Sequence, residues 1–341
     1  MRVGDGESTR MGAEAREASL VLRRQASAQH PLADLAARLR TKPPQLVVTC
    51  ARGSSAHAAT FAKHLIELYL GVPVAAAAPN IASVYHRRLD LKGQLFLAVS
   101  QSGRSDDLIA NADMARQAGA LTVAVVNDPE SPLAAVCDSV VPIAAGPERS
   151  VAATKTVVAS LAALLRLVGA WTQDDRLPAV LDRLPERLAA ASRLDWSIAL
   201  DALSKAPSLI AIGRGPTLAM AREAALKLKE VANRHAEAFS GAEFLHGPVA
   251  LVSTRYPILV LMPTDAAAEG LRRLSADLAR KGAAVLTAET GGSLPVVGAD
   301  HPTTDAICLI QSFYAILPAL AVRLGIDPDR PRHLQKVTRT R

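Results

Sequence analysis

Aromatic residues make up only 3% of this 341-residue chain, so few rings are present to stack on nucleic-acid bases. Cysteine is scarce as well. Cys50, Cys137 and Cys308 are too scattered for a metal cage, and an odd number does not complete a disulfide framework. Uninterrupted apolar runs of membrane-spanning length are missing. The most apolar stretches, 157–171 and 307–322, are broken by Arg166 in the first and by Gln311 and Pro318 in the second. The start, MRVGDGESTRMGAEAREASL, has no apolar core of signal-peptide type. These absences lead to the expectation of a cytoplasmic enzyme or binding protein that neither enters nor spans a membrane. An acidic excess is lacking too: 39 Lys and Arg face 32 Asp and Glu, a net charge of +7. That charge is diffuse except for the tail RPRHLQKVTRTR, residues 330–341. About forty residues precede the first expected strand, short for a complete helix-turn-helix domain. No nucleic-acid partner is expected.

Half of the residues are hydrophobic, enough in a chain of this length for two cores of ordinary size. The order of the apolar runs repeats. LVVTCARGSS around Arg52 and LIAIGRGPT around Arg214 each place an apolar strand before Arg-Gly, at an offset of 162. The same offset carries LFLAVS at Leu95 onto PILVLM at Pro257, and LTVAVV at Leu121 onto AAVLTA at Ala283. Three strands in matching order predict two copies of one doubly wound α/β unit with parallel sheets, Rossmann-like and of flavodoxin type. The expected boundaries are an N-terminal helical segment over 1–30, with its helix at 12–29, a first domain over 31–169 and a helical connector over 170–194. A second domain over 195–325 and a tail over 326–341 complete the division. The connector's own helix is expected at 177–192.

SQSGRSDD, Ser100 to Asp107, follows the buried run LFLAV. Gly103 permits a sharp turn, hydroxyls crowd beside it, and a helix over 107–117 would aim unpaired N–H groups at an anion. This is the pattern of a phosphate cradle. It is equally the pattern of a polar strand-to-helix turn capped by Ser105. In a helix over 217–233, Glu223, Lys227 and Glu230 are four and then three apart and share a face. They form either a solvated ladder or, since the helix follows the GRGP turn at the strand ends, a carboxylate placed for general-base work. His246, before Gly247 and Pro248, is either a turn residue or a proton-exchanging imidazole suited to opening a cyclic sugar. His235, one turn beyond Val231, reads as structural.

Taken in order, ARGSS, SQSGRS, SVAATKT, GRGP, ALKLKE, the His246-Gly247-Pro248 turn and Lys336 resemble a pair of sugar isomerase (SIS) domains. The arrangement is similar to the isomerase half of glucosamine-6-phosphate synthases, from about Pro44 to Lys336. That resemblance implies a hexose phosphate held by Ser54, Ser55, Ser100, Gln101, Ser102 and Ser105, with Val151, Ala152 and Ala153 lining the sugar. It implies that Glu230 moves a proton between C1 and C2 and that His246 opens the ring, reaching a neighbouring subunit of a homodimer. Glu223 and Lys227 would orient the open sugar, and Lys336 would form a Schiff base with a ketose carbonyl. No metal and no cofactor are implied, and GRGPTLA lacks the third glycine of a dinucleotide fingerprint.

Two departures from the synthases refine the expectation. The chain begins MRVGDG, without a terminal cysteine or an expected glutaminase domain, and Arg104-Ser105 stands where the synthases carry Glu-Thr. SQSGRS, SVAATK and QKVTRT are similar to the stand-alone branch that deaminates glucosamine 6-phosphate. The implied activity converts that amino sugar and water to fructose 6-phosphate and ammonia. Three alternatives stay open: an isomerase or deaminase of a galactosamine or tagatose derivative, a non-catalytic phosphosugar sensor, and synthesis from free ammonia.

Overall fold

The computed structural model describes residues 6, 8–27 and 32–336. These form two compact units. The described residues within 20–148, 155–182 and 335–336 make one unit, and those within 6–19, 149–154 and 183–334 make the other.

The unit containing residues 20–148 is built on strands β1 (Val47–Ala51), β2 (Val74–Ala76), β3 (Leu95–Ser100), β4 (Leu121–Val126) and β5 (Ser139–Pro142). All pairs are parallel and the order is β2-β1-β3-β4-β5. Every residue of β3 is buried, as expected for a parallel strand with both faces covered. One face packs Val48, Cys50, Phe96 and Ala98 against Leu108, Ala112 and Ala115 of a helix that follows β3. Helix α1 (Gly53–Leu70) follows β1, α2 (Asp106–Gln117) follows β3, and α3 (Lys155–Thr172) follows the segment after β5. Gly71, at φ +66°, ends α1 in the left-handed conformation.

The other unit has strands β6 (Ser208–Gly213), β7 (His235–Ser240), β8 (Pro257–Leu261) and β9 (Ala284–Ala288) in a parallel sheet ordered β7-β6-β8-β9. Strand β8 is fully buried. Ile210, Ile212, Ile258 and Val260 pack with Leu271, Leu274 and Leu278, which lie on a helix between β8 and β9. The helices of this unit include α4 (Pro216–Ala232), α5 (Ala268–Arg280) and α6 (Pro302–Arg323). In both sheets the first strand has its second and third on either side, the order that makes a crevice at the strand carboxyl ends.

Local expectations shift at the helix ends. The N-terminal helix is two pieces, Arg10–Arg16 and Ala18–Ser27, and residues 28–29 of the expected span lie outside the described residues. The helix expected over 177–192 runs Arg176–Ala191. That expected over 217–233 is α4, which stops at Ala232 because Asn233 turns to φ +50° and donates its N–H to the Leu228 carbonyl. His235 therefore does not extend the helix; it opens β7 and is exposed. Helices α3 and α6 have the length and hydropathy of membrane spans, but 83% and 89% of their apolar windows are buried within the fold, so they act as core helices.

Candidate functional site

In the first unit, β1 and β3 are neighbours and pair Ala51 with Val99, so the turns leaving their carboxyl ends start side by side. One turn is Arg52-Gly53-Ser54-Ser55, with Gly53 at φ +51° and α1 beginning at once. The other is SQSGRS, leading into α2. Two helix N-termini therefore open at the reversal point of the sheet, each with first-turn N–H groups that lack intrahelical acceptors. Ser54, Ser55, Gln101, Ser102 and Ser105 are half-buried and Ser100 is buried.

The cradle folds through its own hydroxyls. Ser100 Oγ accepts the Gly103 N–H at 3.1 Å, and Ser102 Oγ accepts the Arg104 N–H at 3.3 Å. Gly103 takes φ +63°, and a Cβ there would lie 2.1 Å from Ser131 Oγ. Ser105 occupies the N-cap position of α2 but makes no side-chain capping bond, so the plain capped turn is not what the structure contains. Asp107, buried, takes two charge-assisted bonds from Arg52 at 2.9 and 2.6 Å. That pair joins the turn after β1 to the first turn of α2. Arg104 is held outward by Asp128 at 3.0 Å.

The same unit contains Lys336, whose Nζ lies 3.0 Å from Glu148 Oε2. Glu148 has no exposed side-chain surface, and it also accepts the Thr156 hydroxyl at 2.6 Å and the Thr156 N–H at 3.2 Å at the start of α3. Sequence reasoning missed Glu148. The signal was a carboxylate two residues before the SVAATK motif, but its partner stands 188 positions along the chain.

In the second unit, Glu223, Lys227 and Glu230 do share a face of α4, and it is a buried one. Lys227 and Glu223 are each 1% exposed in their side chains, while Glu230 is 21% exposed. Lys227 Nζ lies 2.6 Å from Glu230 Oε2 and 3.5 Å from Glu223 Oε1. The hydroxyl of Tyr314, on α6, donates to Glu223 Oε1 at 2.8 Å. The solvated ladder is thereby corrected: α6 covers this face, and the stripe is a buried relay whose one solvent-reaching carboxylate is Glu230.

Val151 and Ala153 are half-buried and Ala152 is buried. Their segment is fixed by Glu14, whose carboxylate accepts the N–H groups of Arg149 at 2.6 Å and Ser150 at 3.0 Å. Glu14 was also absent from the sequence-based set, because a helix-borne carboxylate offers no local sign of a loop 135 residues away. His246 is exposed on the loop between Gly241–Phe244 and the 3₁₀ turn Pro248–Leu251. The next residue, Gly247, has φ +131°. Among the described residues the His246 imidazole makes no hydrogen bond, so within its unit it is not joined to the relay.

Comparison with known proteins adds the following. The SIS domain model matches residues 15–170 and 202–294. The glutamine–fructose-6-phosphate aminotransferase of Caulobacter vibrioides is 33% identical over 314 residues, covering 85% of this chain and 51% of that protein. The chain thus spans about half the length of the curated relatives it matches. A crystal structure from Silicibacter pomeroyi, provisionally named a phosphosugar isomerase, is 46% identical with a TM-score of 0.89, covering 94% of this chain and all of that one. Glucosamine-6-phosphate deaminase from Thermotoga maritima superposes with a TM-score of 0.80 at 22% identity, covering 97% of this chain and all of that one. That last likeness is one of fold.

Proposed function

This chain belongs to the SIS domain family, and from that premise we propose that it deaminates glucosamine 6-phosphate to fructose 6-phosphate and ammonia with two tandem SIS domains. The observation that carries the reading is Glu230: a carboxylate on α4 that reaches solvent while its partner Lys227 is fully buried. A base placed this way keeps a fixed orientation and remains open to a substrate.

The phosphate is held by the hydroxyls of Ser54, Ser55, Ser100, Ser102 and Ser105, the Gln101 amide and the N–H groups that begin α1 and α2. Anchoring the phosphate lowers the entropy cost of presenting C1 and C2. His246, supplied across a homodimer, transfers the proton that opens the pyranose. Glu230 removes the C2 proton while the C1 carbonyl oxygen takes a proton from solvent, giving an enolamine, and then returns its proton to C1 as the nitrogen releases one to solvent. C1 becomes a primary alcohol and C2 a ketimine. Water adds to the ketimine carbon, the carbon–nitrogen bond breaks, and ammonia leaves with the ketose behind. Lys336 offers a second route by transimination. Its ammonium must first release a proton, and Glu148 is an acceptor 3.0 Å away. Glu223 and Lys227 act as positioning residues, with Tyr314 fixing Glu223. Val151, Ala152 and Ala153 line the sugar with backbone groups.

The test is ammonia release from glucosamine 6-phosphate by the purified chain, with galactosamine 6-phosphate in parallel. Release from the gluco substrate that falls by at least about 10²-fold in Glu230→Gln supports the reading. Tight phosphosugar binding without release from either sugar overturns it. A second reading, isomerisation of a phosphosugar without loss of nitrogen, is favoured by the provisional name of the Silicibacter pomeroyi relative, at 46% identity. Conversion of a ketose phosphate to an aldose phosphate with no ammonia change would select it.

A further inference from the structure

The second unit contains a cavity that the proposed reaction leaves unused. It measures about 290 Å³ and opens beyond the carboxyl ends of β8 and β9, against the start of α5 and the first turns of α6. In its sheet β8 occupies the place that β3 occupies in the other. Strand-end crevices of this kind are where doubly wound sheets take ligands. The volume is near the lower end of small-molecule pockets, about 300 Å³.

Its chemistry is the opposite of the cradle's. Met262, Pro263, Thr264 and Asp265 follow β8, where Ser100, Gln101, Ser102 and Gly103 end and follow β3. Three carboxylates of the chain, Asp265, Glu289 and Asp305, line the cavity. Asp305, in the first turn of α6, accepts from Arg187 at 2.6 Å, from Thr264 Oγ1 at 2.6 Å and from the Asp300 N–H at 3.1 Å. Glu289 is held by Arg272 at 2.7 Å. Asp265 Oδ1 accepts the Ala267 N–H at 2.9 Å. Among the described residues no cation pairs with Asp265. A phosphate would therefore meet built-in negative charge, two of whose cations are already engaged. Val296 and Leu309 supply apolar lining beside these polar groups.

We propose that this cavity binds an unphosphorylated, hydroxylated amine of monosaccharide size. Its ammonium pairs with Asp265, its hydroxyls meet Thr264 and Thr290, and its C–H face lies on the apolar lining. The site is distinct in charge preference from the phosphate cradle and is independent of the reaction proposed above.

Titration calorimetry on the full chain with free glucosamine, glucose and inorganic phosphate tests this. Glucosamine is expected to bind the wild type and Ser102→Ala equally. Asp265→Asn, nearly isosteric, should weaken it about tenfold, glucose should bind at least about fivefold more weakly than glucosamine, and phosphate should not compete. Val296→Trp, which fills the cavity from its rim, should abolish binding while circular dichroism stays unchanged. The proposal is overturned if glucosamine fails to bind at about 50 mM, if Asp265→Asn binds it as the wild type does, or if Ser102→Ala removes the binding.

Discussion

Replacing Lys227 with Met should take from Glu223 its ammonium partner at 3.5 Å in the core of its unit. Both side chains are 1% exposed, so water cannot substitute for the lost ammonium. The Tyr314 hydroxyl remains as a donor to Oε1, but a neutral hydrogen bond does not replace an ammonium beside a buried carboxylate. Methionine keeps most of the apolar volume of the lysine stem, so the cavity cost is small. Breaking a buried pair in this way costs about 3–5 kcal/mol. With a urea dependence of about 2–3 kcal/mol per M for a unit of this size, the unfolding midpoint should fall by about 1–2.5 M.

Fluorescence can follow that unit alone. Trp196, fully buried with its indole N–H on the Pro295 carbonyl, belongs to the unit of Glu223. Trp171 belongs to the other. A Trp171→Phe background therefore leaves a single reporter in the right place. Adding Glu223→Gln to Lys227→Met removes the stranded charge and should recover more than half of the lost stability, a coupling that the double-mutant cycle reads directly. Glu230→Gln should cost less than Lys227→Met, about 1–2 kcal/mol, because the buried ammonium keeps Glu223 at 3.5 Å. A midpoint shift below about 0.5 M for Lys227→Met, or no recovery in the double variant, refutes the buried-relay argument.

Gly103→Ala should lower phosphosugar affinity at least about tenfold and cost about 1–3 kcal/mol, because the left-handed backbone and Ser131 leave no room for a Cβ; unchanged calorimetric affinity would count against the cradle. Burial pushes the Cys50, Cys137 and Cys308 thiols up to about 12, so a thiol-reactive dye at pH 8 should label the chain only after denaturation. Since each folded value is raised, the unfolded chain releases its thiol protons first. The associated stability is complete below pH 9 and is lost as pH rises toward 12, which alkaline unfolding curves of triple Cys→Ala protein should show by a flatter profile. Glu148→Gln should reduce kcat at least about tenfold with little change in KM, because it removes the acceptor that holds Lys336; equal kcat would leave Glu148 a helix-start residue only.

Much of the sheet architecture was legible because parallel strands buried on both faces are written as unbroken apolar runs. LFLAVS and PILVLM became β3 and β8 with little ambiguity. The SQSGRS turn was legible for a related reason, since a glycine beside several hydroxyls ends such an apolar run, but its use was not, because a phosphate cradle and a polar turn share that pattern. Helix ends were less so. The stop at Asn233 depends on one left-handed residue, and asparagine is only one of several that take that conformation.

The relay on α4 shows why a site can be spelled out in the sequence and still not be readable there. Spacings of four and three place Glu223, Lys227 and Glu230 on one face, whichever way that face points. A solvated ladder and a buried relay have identical local sequences. What separates them is α6, whose Tyr314 lies 91 positions away and covers Glu223. Glu148 and Glu14 follow the same rule, with partners 188 and 135 positions distant. Each is a carboxylate that burial makes costly and that long-range donors make tolerable. A local motif can supply the proposed reactive groups, but what orients them comes from residues far along the chain. The Glu223→Gln and Lys227→Met pair is informative for that reason: it alters the support of Glu230 while leaving that carboxylate, the proposed base, in place.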